Sequence, residues 1–151
     1  AVSVPVKFTN PAFMLVPLLH GTNKLVDWVS SYEGIKPFIE NPTEHPAINY
    51  RHVPVKSLYE LRMLIQDMDD FLPLCKQPTL IVHGDHDPVV SFKSAPEVLA
   101  KLGSKNKQLK IISSKRHGIL MENIGGTWDV ISEFMNNCID ETNSTKSSPT
   151  L

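Results

Sequence analysis

The chemistry of this chain concentrates in one run, Pro-Thr-Leu-Ile-Val-His-Gly-Asp-His-Asp-Pro-Val-Val, residues 78–90. It has the composition of a short apolar strand that stops at Gly84 and delivers Asp85, His86 and Asp87 into a tight turn closed by Pro88. A carboxylate at the end of a buried strand is held by backbone on both sides, so it can orient a histidine brought from elsewhere. His117, in Lys-Arg-His-Gly, is the candidate partner. An aspartate on one imidazole nitrogen fixes the tautomer and stabilises the imidazolium formed when the other nitrogen takes a proton, which is the base half of a nucleophilic triad. Singly, each residue has a plainer reading. An aspartate before proline most often forms a turn, and a histidine beside Gly118 could bond only to backbone.

The elements that must position the pair follow from periodicity. Residues 78–83 and 108–113 (Gln-Leu-Lys-Ile-Ile-Ser) are expected strands. Between them Ser94 and Glu97 form an S-x-x-E capping box around Ala95 and Pro96, opening a helix that ends at Gly103. A last helix is expected from about Thr127 to Cys138, with Trp128, Ile131, Phe134, Met135 and Cys138 on one side. Strand, helix, strand, helix with short connections is the pattern of a parallel sheet wound with helices, an α/β fold. Ligands and catalytic groups collect at the carboxyl ends of such strands, where both Asp87 and His117 fall.

Upstream, residues 1–8 alternate Val2, Val4, Val6 and Phe8 with smaller or polar residues, the period of a half-buried strand limited by Pro5. Residues 11–32 hold two apolar helical segments parted by a turn at 21–23, and residues 34–55, rich in proline and without a sustained period, are expected to form no core element. Ser57 with Glu60 makes a second capping box ahead of Leu58, Leu61, Leu64, Ile65, Met68 and Leu72. The expected division is a core strand at 1–8, a helical excursion at 9–74, an α/β core at 75–139 and a disordered polar tail at 140–151.

Composition narrows the partners. With 151 residues, 15 basic against 16 acidic, the chain suits one domain, and no nucleic-acid or anionic-membrane partner is suggested. The longest apolar stretch, residues 11–19, falls short of the roughly 20 residues a bilayer span requires, and no basic n-region of a signal peptide precedes it. Cys75 and Cys138 lie far apart, in no C-x-x-C arrangement, so a reducing, cytoplasmic compartment is expected. A metal site at His83, Asp85, His86 and Asp87 would need the strand to continue so that alternate side chains point together, and Gly84 and Pro88 argue that it does not. No metal and no cofactor is expected.

The run at 78–90, then a helix, a strand and Arg-His-Gly, resembles the carboxy-terminal part of an α/β-hydrolase, closest to the esterase, monoacylglycerol-lipase-like and S33-peptidase-like group. The resemblance implies that Asp87, at the end of the family's G-x-x-D pattern in Gly-Asp-His-Asp, is the triad acid and that His117 is the triad base. It implies that Asp85 is a turn residue, that residues 1–8 correspond to the sixth strand and that residues 9–74 correspond to the cap or lid inserted after it. One departure is large. No G-x-S-x-G nucleophile elbow occurs anywhere, and the loop that would supply the oxyanion hole is missing. The chain also begins without methionine inside an expected strand, so the expectation is a piece of a longer serine hydrolase, inactive alone, acting when complete on a small-molecule ester or acyl substrate. The amino-terminal half of the same protein would then be its partner, and an uncovered sheet edge would favour self-association into a homo-oligomer. The competing expectations are a non-catalytic hydrolase-like interaction module and a peptidase or amidase of the same fold.

Overall fold

The computed structural model describes residues 1–29, 38–40, 47 and 49–146. They fall into two compact units, Phe8–Phe71 and a second made of Ala1–Lys7 with Leu72–Leu151. In the first unit a 3-10 turn, Pro11–Leu15, leads directly into α1, Val16–Val29. The helix runs straight through residues 21–23, where a turn was expected. A glycine costs an exposed helix only about 1 kcal/mol relative to alanine, and the Thr22 hydroxyl is satisfied by the Leu19 carbonyl at 2.9 Å. Packing therefore outweighs the local signal.

The excursion expected to hold no core element supplies a short antiparallel ribbon, β1 (Phe38–Glu40) with β2 (His52–Pro54), in which Ile39 lies opposite Val53. Tyr32, Pro37, Pro42, His45 and Pro46 lie outside the described residues. The ribbon runs into α2, Val55–Phe71, whose first residue is buried. Pro54 lacks an N–H and has a φ suited to a helix start, so the helix begins before Ser57, which cannot then serve as its cap. α1 packs against α2, with the rings of His20 and Tyr59 stacked at 4.3 Å.

In the second unit β3 (Thr79–Gly84) and β4 (Lys107–Ile112) pair in parallel, Thr79 opposite Lys107 and Gly84 opposite Ile112, with α3 (Ser94–Lys101) crossing between them. The strand expected at residues 1–8 does not form as a continuous strand and is reduced to isolated bridging, with Val2 opposite Val82 in parallel. The Val82 amide donates to the Ala1 carbonyl at 2.8 Å and the Ser3 amide to the Val82 carbonyl at 2.9 Å. Ser3 then turns left-handed, with φ 47°, and Pro5 has no N–H to offer, so the ladder is interrupted there. The Ser94 hydroxyl does not cap α3. It accepts from the Lys7 amide at 2.8 Å and donates to the Lys7 carbonyl at 3.1 Å, tying the incoming segment to the helix, while Glu97 pairs with Lys7.

Side-chain alternation along β3 splits the core. Leu80 and Val82, with Ile112 and Ile119, meet Ile131 and Phe134 of α4, Thr127–Lys146. Ile81 and His83 have the opposite parity and are fully buried. α4 extends through residues 140–146, expected to be disordered, because neither glycine nor proline interrupts it and the Asn106 amide donates to Glu141 at 3.2 Å. Among the described residues no helix is long and apolar enough to cross a membrane.

Pairing continues past the strand ends. The Asp85 amide donates to the Ile112 carbonyl at 2.9 Å, the His86 amide to the Ser114 carbonyl at 3.1 Å, and the Ser114 amide to Asp85 Oδ1 at 2.9 Å. The side-chain bond from His86, followed by the Ser114 amide, holds the Asp85 carboxyl down to about 2. A carboxyl lowered on folding stabilises the fold above its ordinary range and loses that contribution as pH falls toward the folded value. Asp85→Asn should therefore melt below the unsubstituted protein above pH ~5, with the gap closing as the pH drops through about 4 toward 2. Two glycine substitutions should have opposite signs. A Cβ at Gly103 would lie 1.9 Å from the Pro73 carbonyl oxygen, whereas one at Gly21 meets nothing within 4 Å. In urea unfolding, Gly103→Ala should cost about 2 kcal/mol or more and Gly21→Ala should gain about 0.5–1 kcal/mol.

Candidate active site

The acid sits in the turn that ends β3. Pro88 fixes the backbone after Asp87, and Asp87 Oδ1 accepts the amides of Val89 at 2.8 Å and Val90 at 2.9 Å, an aspartate turn that locks its own side chain. That side chain is fully buried. Burial pushes its carboxyl up, but the hydrogen bond from His117 and the Val90 and Val89 amides outweigh this, leaving it below the usual carboxylate range. Asp87 is therefore an anion inside the fold.

The histidine comes from the loop after β4. Ile119, two residues beyond His117, is fully buried in the core, and its amide donates to the His117 carbonyl at 3.0 Å. Ser114 accepts from the Arg116 amide at 3.0 Å through its hydroxyl, Arg116 pairs with Glu122 at 2.8 Å, and the Ser3 hydroxyl donates to the His117 carbonyl at 3.3 Å. Further on, Asn123, Gly125 and Gly126 take positive φ of 50°, 61° and 71°, and the Trp128 indole N–H closes the loop on the Leu120 carbonyl at 2.7 Å. The loop is thus pinned at both ends of the histidine.

The two elements bring Asp87 Oδ2 to 2.8 Å from His117 Nδ1. An ionised carboxylate only accepts, so Nδ1 carries the hydrogen. Nε2 is left as the nitrogen that can take a proton, on a ring with 39% of its side-chain surface exposed. Asp85 is separated from this pair in role: its Oδ1 lies 2.9 Å from His86 Nδ1 and 2.9 Å from the Ser114 amide. His83, weighed from the sequence only as a metal ligand, lies buried beside the acid, its Nε2 at 3.9 Å from Asp87 Oδ2 and 3.3 Å from the Val90 carbonyl. Nothing in the sequence places it beside the acid, since its parity on β3 sets it on the face away from Leu80 and Val82 and only the closing of the turn brings Asp87 back to it. Among the described residues no group of three or more His, Cys, Asp or Glu side chains could hold a metal ion.

Solved structures of similar fold include that reported for LipS and LipT, two metagenome-derived lipolytic enzymes, with 14% identity over 87% of this chain and 53% of the other and a TM-score of 0.61. A soluble variant of monoglyceride lipase from Saccharomyces cerevisiae, in complex with a substrate analog, matches with 12% identity over 91% of this chain and 55% of the other, TM-score 0.60. A monoacylglycerol lipase from Paleococcus ferrophilus matches with 15% identity, 74% and 46% coverage and TM-score 0.50. The chain spans about half the length of these structures. At such identities the likeness is one of fold. The model of the serine aminopeptidase S33 family, a hydrolase family, matches residues 6–124, and the chain belongs to that family within the α/β-hydrolases.

Proposed function

We propose that this chain is the carboxy-terminal part of a serine hydrolase acting on carboxylic esters, with Asp87 as the triad acid and His117 as general base and then general acid. The observation that carries this reading is the 2.8 Å contact between His117 Nδ1 and a fully buried, ionised Asp87. The serine and the oxyanion donors come from the amino-terminal half of the same protein, since no G-x-S-x-G occurs here. A largely apolar groove of about 250 Å³, lined by Val2, Leu80, Ile131, Phe134 and Met135, suits the packing of those further elements. In the reaction, His117 Nε2 takes the serine proton as the hydroxyl attacks the acyl carbonyl. The imidazolium formed is stabilised by Asp87, and Nε2 then protonates the departing alcohol.

Residues 9–74 act as the cap. The exposed side chains of Met14, Leu15, Leu18 and Leu19 favour a lipophilic acyl group, in keeping with the lipases named among the structural neighbours. The serine aminopeptidase description of the family supports a second reading, amide or peptide hydrolysis by the same pair.

The full-length polypeptide should hydrolyse a p-nitrophenyl ester of medium chain length faster than the matching aminoacyl anilide. The opposite order would favour the peptidase reading. His117→Ala should lower kcat on the order of 10⁴- to 10⁶-fold, and Asp87→Asn on the order of 10⁴-fold by freeing the wrong tautomer. Ester turnover that survives His117→Ala would remove the base assigned here.

A further inference from the structure

We infer that His83 is a positioning residue for the Asp87–His117 pair, a role that rests on the acid–base reading given above. Its ring is completely buried at the end of β3. The Val90 carbonyl, 3.3 Å from Nε2, can only accept, so Nε2 carries the ring hydrogen and donates it. Val90 is also the residue whose amide donates to Asp87 Oδ1 at 2.9 Å, and the next amide, that of Ser91, is held by the Lys7 carbonyl at 2.7 Å. His83 thus grips the turn that grips the acid.

The same N–H lies 3.9 Å from Asp87 Oδ2, the oxygen that receives His117. That distance is too long for a hydrogen bond, so Nε2 meets the carboxylate only as a neighbouring dipole. Oδ1 accepts two amides, and Oδ2 has the His117 imidazole at 2.8 Å and the His83 imidazole at 3.9 Å; together these neighbours set the rotation of the carboxylate and so the direction in which His117 is held. The other ring nitrogen, Nδ1, is buried with no hydrogen-bond partner among the described residues. A side chain that merely filled this space would do so without burying an unpaired acceptor. The imidazole is explained by what its Nε2 does.

The test is made on the full-length polypeptide with three substitutions, because a glutamine amide nitrogen reaches the place of Nε2 and an asparagine nitrogen that of Nδ1. In proton NMR the Asp87–His117 hydrogen should give a far-downfield resonance that disappears in His117→Ala. His83→Leu should shift or broaden it and lower kcat on the order of 10- to 10²-fold, as small misplacements of catalytic groups do, with KM little changed. His83→Gln should restore both and His83→Asn neither. Should His83→Leu fail to fold, the contrast between Gln and Asn decides alone: recovery in Gln only supports the role, and equal behaviour of the two overturns it. A resonance and kcat unchanged in His83→Leu also overturn it. Absence of any His117-dependent resonance in the unsubstituted protein refutes the underlying acid–base pair, and the role of His83 with it.

Discussion

The parallel pairing of β3 with β4 is the constraint from which the candidate site follows, because it places the two loops that leave these strands side by side at one sheet edge. The backbone carries the pairing two residues further on each side, through the amides of Asp85 and His86 and the Asp85 carboxylate. By the time the chain reaches Asp87, its position relative to the His117 loop is already fixed by main-chain hydrogen bonds.

A buried anion in such a place is expensive unless its oxygens are occupied, since an uncompensated carboxylate costs several kcal/mol to desolvate. Here the turn amides of Val89 and Val90 hold one oxygen and His117 holds the other, and together they keep the acid ionised despite burial. The same groups that pay the desolvation also orient the histidine. Stability and chemistry are therefore coupled at this turn, and a substitution at either residue disturbs both.

Much of this was legible in the residues because it rests on short-range rules. The run Gly-Asp-His-Asp-Pro after an apolar strand names a turn with an acid in it, and the alternation of strand and helix afterwards names the parallel sheet. What was not legible depended on long-range partners. Ser94 looked like a helix cap, yet its hydroxyl is engaged by Lys7, 87 residues away. Residues 1–8 had the period of a strand, but the left-handed turn at Ser3 breaks the ladder just after the bridge at Val2. Gly21 carried a turn signal that helix packing overrode, and α4 continued where only polarity argued for disorder. His83 was visible as a titratable residue but not as a neighbour of Asp87, because its parity on β3 places it opposite the Leu80 and Val82 face and only the closing of the turn returns the acid to it.

In the proposed function His117, held by Asp87, activates a serine supplied from outside these residues. Covalent labelling of the full-length polypeptide with a fluorophosphonate measures that activation directly, because the probe reacts with a serine only when a neighbouring base draws off its proton. Rapid stoichiometric labelling on a serine in a G-x-S-x-G segment is expected, slowed by orders of magnitude in His117→Ala. Labelling that proceeds at the same rate without the His117 imidazole, or no labelling of any serine in the folded protein, would contradict it.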